Sequence, residues 1–230
     1  MTSRRNFLGF SGMSAMLSTV AATSAQAKST ATPAEANKAN KAKEELGYNP
    51  VHTPNGWTLP YTKKEGVKEF HLIAEEIEHE FAPGSTAKCW GYNGTTPGPT
   101  IEAVEGDRVR ILVTNSLKEH TTVHWHGLIL PSGMDGVGGL SQPQIAPGET
   151  FAYEFDLKQN GTHMYHPHAD EMTQMAFGMM GMFIIHPTEP EPIDRDYCLL
   201  THNWAMHPGT SRPDPYVMVD FDLWSFNSKV

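Results

Sequence analysis

Two pairs of histidines, each separated by one residue, are the part of this sequence best suited to chemistry. His124 and His126 flank a tryptophan, and His166 and His168 flank a proline about forty residues later. Residues i and i+2 of a strand project from the same face, so each pair can present two imidazoles together. The proline cannot donate to a β-ladder, so the second pair is expected at a sheet edge or strand end. Four neutral imidazoles without a thiolate predict a site for Cu, Zn, Fe or Ni.

Short strands separated by turns are the elements that must position these histidines. The chain has 20 Gly and 17 Pro, about 16% of 230 residues and more than the usual ~12%. Turn signals of this kind lie between segments in which apolar and polar residues alternate. This pattern predicts an all-β sandwich or barrel and disfavours a helical bundle. The strand-like segments are 67–73, 87–92, 108–113, 122–126, 151–155 and 183–185.

Composition excludes several classes of protein. The chain has 17 Lys+Arg against 26 Asp+Glu, a net charge of -9, which disfavours a nucleic-acid partner bound through its phosphates. A hydrophobic content of 39% with 19% charged residues supports a packed core rather than disorder. Twelve histidines beside 2 cysteines exclude a disulfide scaffold and favour a histidine-bound metal.

The first 27 residues have the pattern of an export signal. Arg4 and Arg5 precede a weakly apolar run, and Ala25 and Ala27 form a small-x-small cleavage site, so the mature chain is expected to start at Lys28. The segment resembles a twin-arginine translocation signal, which implies a bacterial periplasmic location. No other stretch is long and apolar enough to cross a bilayer, so no membrane association is expected after cleavage.

The rest of the chain is expected to contain one complete domain and the start of another. At roughly 150 residues per domain, 230 residues correspond to about one and a half domains. Residues 28–66 are polar and predict an arm or linker that packs loosely, and 67–188 form the first domain. Residues 189–230 begin an incomplete second domain, because 196–200 echo 69–73 and 224–228 echo 90–94 in the same order.

Together with their flanking residues, the histidine pairs resemble the multicopper oxidases, which are built from cupredoxin domains. The match runs from Tyr92 to Pro187, about 95 residues, and its motifs are specific. The resemblance implies a Greek-key cupredoxin β-sandwich or barrel. The matching motifs are Asn93-Gly94, Pro97-Gly98-Pro99-Thr100-Ile101, Glu105-Gly106-Asp107, His124-Trp125-His126-Gly127, Asp135-Gly136, Gln142, Pro147-Gly148, Gly161-Thr162, Tyr165-His166-Pro167-His168 and Gly178-Met179-Met180-Gly181-Met182-Phe183-Ile184-Ile185.

The resemblance also implies a ligand set. The four histidines would supply half of the ligands of a trinuclear copper cluster, with His124 on the type 2 copper. His126 and one histidine of the second pair would bind one type 3 copper, and the other histidine would bind its partner. Asp135 matches a family acid that relays protons near the cluster, although an Asp before Gly136 is equally well explained by a turn.

The family's other ligands do not occur in this sequence. They form a His-x-x-His-x-His run and a His-Cys-His motif in a later domain, and they include the type 1 copper that accepts electrons from substrate. The 230-residue chain alone is therefore expected to be an inactive fragment. Cys198, His202, Met206 and His207 superficially resemble a type 1 loop, but Cys198 falls in the expected opening strand of the second domain. Whether Cys89 and Cys198 pair is left open.

The function that follows is oxidation of a donor, one electron at a time, coupled to the four-electron reduction of O2 to water. The donor would be a phenolic or aromatic molecule or Cu(I), and in a two-domain parent the cluster would lie between subunits of a homotrimer. Two alternatives stay open: a periplasmic copper-binding or copper-resistance protein without turnover, and a non-oxidase metal enzyme such as a zinc hydrolase or nitrite reductase. Six of the 12 methionines lie between Met164 and Met182, as a Cu(I) route or as core filling.

Overall fold

The computed structural model describes residues 46–190, 192–217 and 219–230. The expected twin-arginine segment, residues 1–27, lies outside these residues, as does the arm up to residue 45. Among the described residues, no helix is long and apolar enough to span a bilayer.

Strands dominate the described part of the chain, in agreement with the sequence-based prediction. One short helix, α1 (Glu171–Ala176), and a 3-10 turn at Ser132–Met134 accompany them. The strands are β1 (Thr62–Lys64), β2 (Val67–Ala82), β3 (Ser85–Tyr92), β4 (Ile101–Val104), β5 (Arg108–Asn115), β6 (His124–His126), β7 (Thr150–Asp156), β8 (Gly161–His166), β9 (Gly181–His186), β10 (Thr201–Trp204) and β11 (Leu223–Phe226).

Two sheets form the main body of the fold. The first has the order β1-β2-β5-β7, with β3 paired to the distal half of the long strand β2. The second has the order β4-β9-β8-β6. The pairs β2·β5 and β4·β9 are parallel and the others are antiparallel, so the chain crosses between the sheets instead of running as a simple meander.

The core lies between these sheets and explains why the first histidine pair faces outward. Trp125 is 0% exposed and packs edge-on against Tyr153 of the first sheet, with ring centroids 5.2 Å apart. Tyr165 and Phe183 bury their rings in the same cluster. Because successive side chains of a strand point to opposite faces, burial of Trp125 places both of its histidine neighbours on the outer face.

The described part of the expected arm, residues 46–66, packs against the sandwich rather than loosely. Tyr48 and Leu59 are 2% and 4% exposed, and the Val51 N–H donates to the buried Glu102 carboxylate over 3.0 Å. The apolar residues of this segment are few and widely spaced, so they have no strand or helix period. Composition alone therefore suggested a loose arm.

The segment after β9 repeats a hydrogen-bonding pattern found earlier in the chain. Asn93 and Asn227 both have left-handed backbones, with φ of 51° and 48°. Asn93 exchanges hydrogen bonds of 2.9 and 3.0 Å with the main chain of Ile73, and its Nδ2 donates to the carbonyl two residues earlier. Asn227 makes the same set with Leu200, at 2.7 Å each, and with the carbonyl two residues before it. The two echoes noted in the sequence therefore share one turn geometry.

Candidate metal centre

Strands β6 and β8 bring the histidine pairs together through their register. His124 lies opposite His166, and His126 lies opposite Met164. Directly opposed residues of an antiparallel pair share a face with Cβ atoms about 5 Å apart. The His124, His126 and His166 side chains thus lie on the face opposite the core.

The imidazoles of these residues form a compact group. One ligating nitrogen from each of His124, His126 and His166 lies within 4.8 Å of the others. His126 Nδ1 is 3.1 Å from His166 Nε2, and the ring centroids of His124 and His168 are 5.5 Å apart. The structure therefore gathers all four histidines singled out in the sequence, with three in close contact and His168 beside His124.

The second pair reaches this site differently from the first. Strand β8 ends at His166, as expected from the proline that follows, so His168 lies beyond the ladder. The expectation that residues i and i+2 of a strand share a face therefore holds for His124 and His126. It does not apply to His166 and His168, because only His166 lies in a strand. His168 is carried instead by the turn that leads into α1.

Main-chain carbonyls set the orientation of two of the rings. His124 Nδ1 donates to the Asp135 carbonyl oxygen over 2.7 Å, and His166 Nδ1 donates to the Pro167 carbonyl over 2.9 Å. This assignment follows from the hydrogen-bond network. It puts the ligating lone pair on Nε2 of both rings, and Nε2 of His166 accepts from His126 Nδ1, 3.1 Å away. The Asp135 carboxylate is 3.4 Å from His124 Nδ1, too far for a strong hydrogen bond. Asp135 therefore orients His124 through its backbone.

A glycine makes this approach of Asp135 feasible. Gly136 has φ of +85°, and a Cβ built on it would lie 2.0 Å from the Val123 carbonyl oxygen. Only a residue without a side chain can bring the loop this close to the start of β6. The Asp-Gly pair is thus a structural requirement of the His124 contact.

Burial keeps His166 in the form that binds metals. Desolvation lowers the pKa of His166, and the neighbouring His124 and His126 act in the same direction. A neutral imidazole is the ligating form, so the environment of His166 favours metal binding near neutral pH. Glu171 was not predicted to lie near the site, although its Oε1 is 3.6 Å from His166 Nδ1. Glu171 lies in the first turn of α1, and no motif in the sequence connects it with the histidine pairs.

Other candidate residues lie apart from the cluster. Both cysteines are free and buried: Cys89 packs with Phe81 and Trp204, and Cys198 packs with Val51. The open question of their pairing is thereby answered in the negative. Two other residues of the segment that resembles a type 1 copper loop have partners away from Cys198. His207 contacts Asp214, and Met206 packs against the hydrophobic cluster that contains Cys89. The distance from His207 Nε2 to the Asp214 carboxylate is 3.4 Å.

Comparisons with known proteins identify the family to which this chain is similar. A multicopper oxidase family model matches residues 74–190. Copper resistance protein A of Escherichia coli is 44% identical over 70% of this chain and 26% of its own length. Laccase-2 of Botryotinia fuckeliana is 36% identical over 63% of this chain and 25% of its own. The chain thus spans about a quarter of the length of the curated relatives it matches.

Solved structures agree on the fold. A multi-copper oxidase from Pseudomonas Thermotolerans superposes with a TM-score of 0.68 at 31% identity, over 71% of this chain and 42% of that one. Such neighbours confirm the cupredoxin sandwich that the sequence predicted. With the family match covering half of its residues, this chain belongs to the multicopper oxidase family.

Proposed function

We propose that this chain carries half of the ligands of a trinuclear copper cluster in a multicopper oxidase. The enzyme would oxidise a phenolic or aromatic donor, or Cu(I), in one-electron steps and reduce O2 to water. The observation that carries the proposal is the convergence of four imidazoles on one side of the second sheet, with His126 Nδ1 and His166 Nε2 3.1 Å apart. Family membership supports copper as the metal.

The spacing of the closest pair fits a shared ion. Two imidazole nitrogens, each about 2.0–2.1 Å from a metal and subtending about 100°, lie about 3.1 Å apart. We therefore assign His126 and His166 to one type 3 copper, which leaves His168 for its partner and His124 for the type 2 copper. This assignment selects one of the two arrangements that the sequence left open.

The protein's own residues hold and orient the site. Copper would supply the electron transfer, and the sheet supplies imidazoles in fixed positions. The Asp135 and Pro167 carbonyls fix the ring orientations of His124 and His166. We propose that the Asp135 carboxylate, 38% exposed and 3.4 Å from His124 Nδ1, exchanges protons between solvent and the site.

We further propose that residues 67–188 form one cupredoxin domain and that 189–230 begin a second. The repeated asparagine pattern supports this division. The positions equivalent to three core residues of the first domain are exposed in the second segment, as expected for a core face that further strands must cover. The core residues are Phe70, Leu72 and Tyr92, 0–1% exposed, and their equivalents are Tyr197, Leu199 and Phe226, 50%, 55% and 62% exposed.

Location and assembly follow from the same proposal. Residues 1–27 would direct the protein to the periplasm by the twin-arginine route, and the relatives named copper resistance protein A support a role in copper handling. The remaining cluster ligands and the type 1 copper would come from polypeptide outside the 230 residues. In a homotrimer they would be supplied across a subunit interface.

The protein expressed from the complete reading frame tests the function. We expect it to retain copper and to consume oxygen with a phenolic or cuprous donor, whereas the 230-residue chain does not turn over. His126→Ala should lose both copper and oxygen uptake, and His71→Ala, on the exposed side of β2, should lose neither. Copper retention without oxygen uptake would instead support a copper-binding resistance protein, the alternative that the 44% identical relative favours.

A further inference from the structure

Gln174 is a buried polar residue in the short helix that follows the second histidine pair. The residue is 2% exposed, whereas Met172 on the same helix is 54% exposed. Gln174 Nε2 donates to the His120 carbonyl over 2.8 Å, and its Oε1 accepts from the Thr121 hydroxyl over 2.7 Å. The amide thus connects α1 with the residues that lead into β6, 53 and 54 positions earlier in the chain.

Register explains why a connection is needed at this place. In the β6–β8 ladder, His124 lies opposite His166. Continuing the same register would place His168 opposite Thr122. The ladder ends at His166, however, and Pro167 has no N–H with which to extend it. The strand that carries the first histidine pair and the segment that carries His168 therefore depend on contacts other than main-chain pairing.

The hydrogen bonds of Gln174 supply such a contact. Its amide offers a donor and an acceptor to residues 120–121, as the main chain of a ladder residue would. Among the described residues, no other side chain of 167–176 hydrogen-bonds to a distant part of the chain. The helix α1 is therefore held against the start of β6 through the Gln174 amide.

The turn between His168 and α1 depends on this attachment. Asp170 has a left-handed backbone, with φ of 46° and ψ of 55°, which is uncommon for a residue with a side chain. Such a conformation persists where surrounding contacts hold it. The Gln174 N–H donates to the Asp170 carbonyl over 3.0 Å, so the residue that anchors α1 also closes this turn. A displaced helix would consequently move His168, two residues before Asp170.

The two histidines of the second pair are held by different means. The centroid of the His166 ring is 5.3 Å from that of His124, and the ladder fixes its main chain. The centroid of the His168 ring is 5.5 Å from that of His124, although His168 lies beyond the end of β8. We propose that Gln174 is a positioning residue for His168: its amide holds α1 against residues 120–121 and thereby keeps the His168 imidazole beside His124. The inference rests on the proposed role of His168 as a copper ligand, but the positioning itself needs no metal.

Nuclear Overhauser effects (NOEs) between histidine rings of the metal-free chain test the positioning. Gln174→Met removes both side-chain hydrogen bonds and keeps an unbranched side chain that favours a helix. In the chain labelled with ¹³C-histidine, we expect this variant to lose the NOE between the His124 and His168 rings. The NOE between His124 and His166, which the ladder holds together, should keep its wild-type intensity. A general loosening of the fold would instead weaken both NOEs.

Gln159→Met provides the matched control. The Gln159 amide also bridges two main-chain groups, since it donates to the Gly127 carbonyl over 2.7 Å and accepts from the Ile129 N–H over 2.9 Å. These partners follow β6 instead of preceding it, so the control should change neither NOE. Thr121→Val, which removes only the hydroxyl donor to Gln174, should weaken the same NOE and covers the case in which Gln174→Met does not fold. An unchanged NOE to the His168 ring in either folded variant, or an equal weakening of both NOEs, would overturn the proposal.

Zn(II) affinity tests the consequence for metal binding. Zn(II) takes imidazole ligands and has no redox chemistry, so calorimetry with the 230-residue chain needs no turnover. Gln174→Met should weaken binding by about tenfold in the wild-type background but by less than about twofold in His168→Ala, because the amide acts through that ring. An equal loss in both backgrounds would overturn the proposal. An unchanged affinity in His168→Ala alone would instead contradict the proposed function, while the NOEs would still decide the role of Gln174.

Discussion

Replacing Glu102 by methionine is expected to loosen the segment that packs against the sandwich before β1. Glu102 is 2% exposed and its carboxylate accepts three hydrogen bonds. These come from the Val51 N–H at 3.0 Å, the Thr58 hydroxyl at 2.8 Å and His186 Nε2 at 2.9 Å. The His186 ring in turn stacks on Tyr48, with centroids 4.0 Å apart. One carboxylate thus links residues 48–58 to β4 and β9.

The expected magnitude follows from which donors can find another partner. Thr58 is exposed and can turn to water, but the Val51 N–H and the His186 nitrogen are buried. Two buried groups without a hydrogen-bond partner, at roughly 1–3 kcal/mol each, should lower the free energy of unfolding by about 3–4 kcal/mol in Glu102→Met. Glu102→Gln keeps an oxygen for both buried donors and loses only the charge, so it should cost about 1 kcal/mol.

Urea unfolding of the 230-residue chain measures both variants. With an m value of about 2 kcal/mol/M, the midpoint should fall by about 1.5–2 M for Glu102→Met and by about 0.5 M for Glu102→Gln. A double-mutant cycle with His186→Leu should show a coupling above about 1 kcal/mol, because the two side chains share one hydrogen bond. Equal midpoints for the methionine and glutamine variants would refute this reasoning.

Three further outcomes are expected. If the proposed function is right, Asp135→Asn in the complete protein should keep its copper, since the backbone contact to His124 remains, but slow oxygen reduction about 100-fold; loss of copper would make Asp135 structural. Gly136→Ala should cost at least about 3 kcal/mol in urea unfolding because its Cβ would meet backbone, whereas Gly139→Ala, with φ of +81° and open space around it, should cost about 1 kcal/mol. Burial lowers the pKa of His202 in the folded state to about 4, below the value of about 6.5 for an unperturbed histidine. As pH falls from about 6.5 to 4, the unfolded state binds a proton that the folded state does not. The free energy of unfolding of the metal-free chain should therefore fall by about 3 kcal/mol over this range. His202→Asn should remove most of this dependence of the free energy of unfolding on pH. If the variant and the wild type depend on pH in the same way, His202 has the same pKa in the folded and unfolded states.

Local patterns in the sequence predicted much of the fold and the central residues of the site. The alternation around Trp125 correctly placed His124 and His126 on one face, and the proline at 167 correctly marked a strand end. Contacts between distant residues were not predictable in this way. Glu102 and His186 are 84 positions apart, and neither residue carries a local signal that it is buried with the other.

Two details of the site also depended on three-dimensional information. The contact between Asp135 and His124 is made by a main-chain carbonyl, and the sequence only drew attention to the side chain. The methionine-rich segment divides between the core, where Met179 is 0% exposed, and the outer face of the second sheet, where Met164 and Met182 are half-buried neighbours. Its sequence spacing alone did not distinguish the two environments.

Copper content in a set of histidine variants tests the central proposal most directly. If His126 and His166 hold the same ion, the complete protein with His126→Ala, with His166→Ala and with both should lose the same amount of copper per subunit. Oxygen uptake should vanish in all three, while His71→Ala should match the wild type. An additive loss of copper in the double variant, or full copper retention in either single variant, would contradict the shared site.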